Sequence, residues 1–172
     1  MKHITIIFIA LFAFSAYAAD FSVKVPTAKS GVFAQEQVFN GFGCTGGNVS
    51  PEVVWENPPA GTKSFALTVY DPDAPTGSGW WHWVITDIPS DVRKIEKGKV
   101  PVGAVQSATD YGKPGYGGPC PPEGTNHRYV FTVTALKTEK LGIDPSATGA
   151  LAGFMINMNA IGKATTIVRY AR

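Results

Sequence analysis

Ser64-Phe65-Ala66-Leu67-Thr68-Val69-Tyr70, followed at once by Asp71-Pro72-Asp73-Ala74-Pro75, decides how the rest of the chain is read. Phe65, Leu67 and Val69 fall on one face, the period-two pattern of a strand. The next five residues stop it. Proline fixes its own backbone and disfavours helix for the residue before it, so Asp71 and Asp73 are held extended and rigid at the strand's end. Carboxylates in such a turn can bond nearby backbone amides or face a ligand, and this segment alone leaves both open.

Working outward, Arg128 to Leu136 repeats the alternation, with Tyr129, Phe131 and Val133 opposite Val130, Thr132 and Thr134. Phe21 to Val25, Val53 to Trp55, Trp81 to Ile88 and Thr165 to Tyr170 are shorter candidates. Asn57-Pro58-Pro59-Ala60-Gly61 signals a turn. Val38 to Pro51 is glycine-rich and irregular, and Tyr111 to Gly124 is too dense in proline and glycine for regular structure. One helix is expected, from about Ser146 to Lys163. Asp144 is placed as its N-cap and Pro145 as its first residue, with Leu151, Phe154, Met155, Met158 and Ile161 near a three-four spacing as its core face. Many short strands with turns between them predict an all-β antiparallel sandwich with one or two peripheral helices.

The first 18 residues form a separate unit. Lys2 precedes an apolar run from Ile4 to Phe14, and Ala16-Tyr17-Ala18 has the small-x-small pattern cut by signal peptidase. The run is shorter than the roughly 20 residues that span a bilayer, so 1-18 is read as a signal peptide cleaved after Ala18, and the product as periplasmic or secreted. Residues 19-172 then form one domain of a size that supports a core. Loss of Lys2 takes the formal charge from +2 to +1, and the lysines are scattered, which argues against nucleic acid or an acidic membrane surface as partner. Cys44 and Cys120 are the only cysteines. In an oxidising compartment they are a candidate disulfide, with two unpaired thiols as the alternative.

Three polar clusters sit at strand ends. Besides Asp71 and Asp73 there is Trp80-Trp81-His82-Trp83, in which alternation places Trp81 and Trp83 opposite His82. That histidine either caps a strand edge beside core tryptophans or exchanges protons with a ligand. The third cluster runs from Gly115 through Gly118, Pro119, Cys120, Pro121 and Pro122 to His127, Arg128 and Tyr129. Glycines there let backbone approach a ligand and prolines stiffen the wall, while His127 and Tyr129 share strand parity. A plain surface loop with a hydrogen-bonded histidine fits the same residues.

Asp71-Pro72-Asp73-Ala74-Pro75 together with the segment from Gly118 through Pro121-Pro122 to His127-Arg128-Tyr129 resembles the paired signatures of the phosphatidylethanolamine-binding family, and its bacterial Raf-kinase-inhibitor-like branch most closely. The resemblance runs from about Phe21 to Arg172. It implies a Greek-key β-sandwich with a shallow pocket for phosphate-type or carboxylate anions. The matching pocket positions are Asp71, His82, Gly118, Pro122, His127 and Tyr129, with Asp73 and Trp83 as supports. Asp71 would orient a histidine or meet the amine of a zwitterionic head group. Two departures bear on this. Cys120 replaces a small residue, and the chain ends soon after its last strand, so lipid preference and kinase inhibition transfer poorly.

Two enzyme readings can be set against the same residues. Asp71, His82 and His127 around a metal lack a ligand spacing, and Ser78 between Gly77 and Gly79 lacks the remaining nucleophile-elbow glycines. No catalytic residue, metal or cofactor is therefore expected. The expected partner is a small anionic or phosphorylated ligand. A protein partner that the chain inhibits or modulates is the alternative, and pairing of edge strands into a homodimer is left open.

Overall fold

The computed structural model describes residues 19-172; the signal peptide expected at 1-18 lies outside them. In chain order the strands are β1 (Ser22–Lys24), β2 (Asn40–Gly41), β3 (Cys44–Thr45), β4 (Val53–Glu56), β5 (Ser64–Asp71), β6 (Trp80–Pro89), β7 (Lys94–Ile95), β8 (Val105–Gln106) and β9 (Asn126–Leu136). Helix α1 (Gly149–Asn159) and β10 (Ala160–Ala171) follow. One antiparallel sheet has the order β10-β9-β5-β6-β8, a smaller one β1-β4-β7, and β2-β3 forms a ribbon. Among the described residues no helix is long and apolar enough to cross a membrane.

The alternation of β5 and β9 fills the space between the sheets. Phe65, Leu67 and Val69 meet Tyr129, Phe131 and Val133 there, joined by Trp55 and Val53 from the smaller sheet. The Trp55 and Phe65 rings lie 5.3 Å apart. Each such side chain contributes about 1.5–3 kcal/mol by leaving water.

Strict alternation fails twice in β6. Val69 pairs with Trp83 but Tyr70 with Trp81, so His82 is an extra, unpaired residue. This β-bulge corrects the face assignment. Trp83 joins the interior cluster, His82 also turns inward with its ring 4.9 Å from that of Tyr129, and Trp81 alone faces outward against Tyr70. The second irregularity lies between the Phe65–Ile88 and Leu67–Ile85 pairs, beside Asp87 with its φ of 57°.

The helix is shorter than expected and shows a different face. Thr148, not Asp144, is the N-cap, its side chain accepting from the Leu151 amide at 3.2 Å. Asp144 instead closes a preceding turn by accepting from the amide and hydroxyl of Ser146. Ala160 is already extended, and β10 takes the residues that the helix was expected to hold. The buried residues are Gly149, Ala152 and Ile156, whereas Leu151, Phe154 and Met158 are each more than half exposed. Trp81 is the reason: its indole lies under the helix, and a Cβ at Gly149 would collide with it. The helix can approach only through its small residues.

Candidate functional site

The end of the β5–β6 pair near Asp71 opens into a cavity of about 310 Å³, at the small end of the range for ligand pockets. Asp71, His82, Pro122, His127 and Tyr129 line it, with Trp80, Tyr111 and Phe42 as an aromatic wall and Arg172 at the rim. Among the described residues no group of three or more acidic, histidine or cysteine side chains is arranged to hold a metal ion.

Each carboxylate oxygen of Asp71 accepts a bond. Its Oδ1 accepts from the Asp73 amide at 2.8 Å, the Asx turn expected of Asp-Pro-Asp, and its Oδ2 accepts from Nδ1 of His127 at 2.8 Å. This bond fixes the His127 ring and leaves Nε2 for the cavity. Asp71, His82, His127 and Tyr129 are none of them more than 5% exposed.

His82 is held from the other side. Its Nδ1 lies 2.7 Å from the Gly117 carbonyl oxygen. A carbonyl only accepts, so Nδ1 carries the proton. Burial opposes a second proton and lowers the pKa from 6.5 to about 4, against the smaller raising effects of the Gly117 bond and Asp71. Tyr129 has the opposite sign: burial, then the Asp71 carboxylate, push its phenol well up, so it keeps its proton. Its hydroxyl is buried and has no partner among the described residues.

Asp73, Trp83 and Gly118 stand behind the cavity rather than in its lining. Asp73 grips Arg128 in a two-pronged pair, 2.7 Å from Nη2 and 3.0 Å from Nε, and also accepts from its amide. That guanidinium holds the Asp73 carboxyl down at about 2. The pair ties the end of β5 to the start of β9 and so sets the spacing of Asp71 and His127. Trp83 donates to the side chain of Gln106 at 2.8 Å.

Gly118 is required by contact: a Cβ there would collide with the carbonyl oxygen of Gln37. Its amide donates to the side-chain oxygen of Asn48 at 2.8 Å, and Tyr111 donates to its carbonyl at 2.7 Å. The Cys44–Cys120 disulfide lies alongside, its Cα atoms 6.0 Å apart. The loop from 111 to 124 is thus fastened to the 37-48 segment covalently and by hydrogen bonds.

Phe42, Trp80, Tyr111 and Arg172 were not singled out as pocket residues from the sequence. Arg172 donates to the carbonyls of Phe42 and Gly43 and pairs with Glu123 at 3.1 Å, clamping three distant segments at the rim. Trp80 belongs to the Trp80-Trp81-His82-Trp83 cluster, and nothing local in the sequence marks Phe42 or Arg172.

A small sandwich whose sheet end carries a histidine-lined, covalently braced cavity describes a class of ligand-binding protein. Residues 29–171 match the phosphatidylethanolamine-binding protein family, and the chain belongs to that family. Two relatives from Escherichia coli K12 are YbcL, 50% identical over 165 residues (91% of this chain, 90% of YbcL), and YbhB, 47% identical over 140 residues (78% and 89%). The crystal structure of E. coli YbcL superposes with a TM-score of 0.86 at 48% identity, covering 90% of this chain and 99% of that one.

Proposed function

We propose that the chain is an exported protein that reversibly captures small anionic or phosphorylated ligands, of the phosphate head-group type, in the Asp71–His127 cavity, making and breaking no covalent bond. The observation that carries this reading is the Tyr129 hydroxyl. It is a buried donor with no partner among the described residues, which is costly unless a ligand satisfies it. In the same cavity, Nε2 of His127 is left over from the bond to Asp71, a second polar atom for a ligand to meet. The small volume suits a head group better than a whole lipid. The disulfide supports an extracytoplasmic setting, where such bonds persist.

Thermal unfolding of the mature protein with inorganic phosphate, a phosphomonoester or acetate tests the reading. Ligand at 100 times its dissociation constant stabilises by about 2.7 kcal/mol. The wild type should respond and His127→Ala should not. A folded wild type indifferent to all three anions would sink the proposal.

A further inference from the structure

The β2–β3 ribbon turns on the residue it should least accept. Gly41 pairs with Cys44, so Phe42 and Gly43 are the two residues of the turn, and their φ angles are 54° and 83°. Two-residue hairpin turns with both φ angles positive prefer Asn-Gly, because those residues tolerate the left-handed region. Gly43 obeys that preference. A bulky aromatic at positive φ is an outlier, and such outliers persist where the surrounding structure over-determines them, chiefly at ligand contacts.

Burial does not account for it. Phe42 is 68% exposed, although its ring stacks on that of Tyr111 at 5.9 Å and meets Trp80 edge-on at 6.5 Å. The turn is nonetheless pinned: Arg172 donates to the carbonyls of Phe42 and Gly43, and the next residue, Cys44, is bonded to Cys120. The ring so fastened lines the Asp71–His127 cavity. That cavity has two parts of different chemistry. Asp71, His82, His127 and Tyr129 are buried, whereas Phe42, Pro75 and Pro122 in the same lining are exposed. Polar groups inside and an apolar collar outside invert the usual order of a folded chain. A ligand that matches both parts carries its charge inward and an apolar group outward. We infer that Phe42 is a specificity-determining residue that receives the apolar substituent of the ligand, so that the cavity prefers phosphoesters with an alkyl or aryl group close to the phosphorus over the bare anion. This rests on the anion-binding reading above and narrows it.

Inorganic phosphate, methyl phosphate, phenyl phosphate and dihexanoyl phosphatidylglycerol share a phosphoryl anion and differ in the apolar surface beside it. Calorimetric titration of the mature protein should show at least one of the last two bound about tenfold more tightly than methyl phosphate. Phe42→Asn supplies the residue the turn prefers, so it should melt no lower than the wild type. Its preference should fall to about twofold or less, with inorganic phosphate bound as before. Loss confined to the short-chain lipid points to a lipid source, loss confined to phenyl phosphate to a soluble one, and loss for both to either; each supports the inference. A wild type without the preference, or a preference that survives in Phe42→Asn, leaves the anion site standing and overturns the role of Phe42. Equal loss of all four ligands in the variant overturns it too, as does melting more than about 5 °C below the wild type, since the ring would then be holding the fold. Binding of none of the four by the wild type overturns the anion site itself, and this inference with it.

Discussion

The β5–β6 pair carries an irregularity and a buried carboxylate at each end, and the histidine-lined cavity opens at the Asp71 end. At the far end Asp87 accepts from the Leu141 amide at 2.9 Å and holds the segment leading to α1. At the near end Asp71 accepts from an amide and also from a histidine ring. Both carboxylates are buried and both are satisfied, as buried polar groups must be. What separates them is the partner. A backbone amide ends the chain of interactions, whereas an imidazole passes it to a second nitrogen that faces open space. A buried carboxylate points to function when its partner has a valence left over.

Three measurements sharpen or break this contrast. The largest effect should come from the disulfide, which braces only the cavity end. Replacing Cys44 and Cys120 by alanine opens a cross-link between residues 76 apart and should lower stability by about 4 kcal/mol in the chain-entropy view. A loss below about 1 kcal/mol in urea unfolding would show that the brace does not act on the unfolded chain.

Next is acid sensitivity. In the unfolded chain His82 titrates near 6.5 and in the fold near 4, so across that interval the unfolded state binds the extra proton. Stability is full above 6.5 and is lost as pH falls through 4, by at most about 3 kcal/mol. Urea midpoints at pH 7 and pH 4.5 should diverge for the wild type and much less for His82→Asn. Parallel behaviour of the two would mean that the imidazole does gain a proton in the fold.

Smallest in stability, and most direct, is the carboxylate pair itself. Asp71→Ala and Asp87→Ala each strand at least one buried donor and should cost about 1–3 kcal/mol. Only Asp71→Ala should also weaken phosphate binding, by about tenfold, because His127 loses the bond that orients it. Equal loss of affinity in both variants would erase the distinction between the two ends.

The sandwich was legible because β5 and β9 alternate cleanly, and a period-two pattern survives whatever packs against it. The bulge at His82 was not, since a bulge is a mismatch between two strands and neither strand contains it alone. That single residue is why Trp83 shares the interior with His82 while Trp81 does not. The helix misled for a related reason. Its large apolar residues formed the obvious stripe, but Trp81 already occupied the space beneath it and left room only for Gly149 and Ala152. Within the site, Asp71, His82, Pro122, His127 and Tyr129 come from three clusters at strand ends and meet in one cavity. Phe42 and Arg172 are 130 positions apart, and only the closed fold makes them neighbours.

The bulge also separates what the scaffold needs from what it carries. Regular pairing of β5 with β6 has no use for His82; a strand one residue shorter would run straight through, with Trp81 and Trp83 falling back into step. The sandwich is in this sense indifferent to its cargo. A lineage could discard His82 by a single codon deletion and keep its architecture, and an engineer could move the same one-residue insertion to another strand end to seat a new side chain inward.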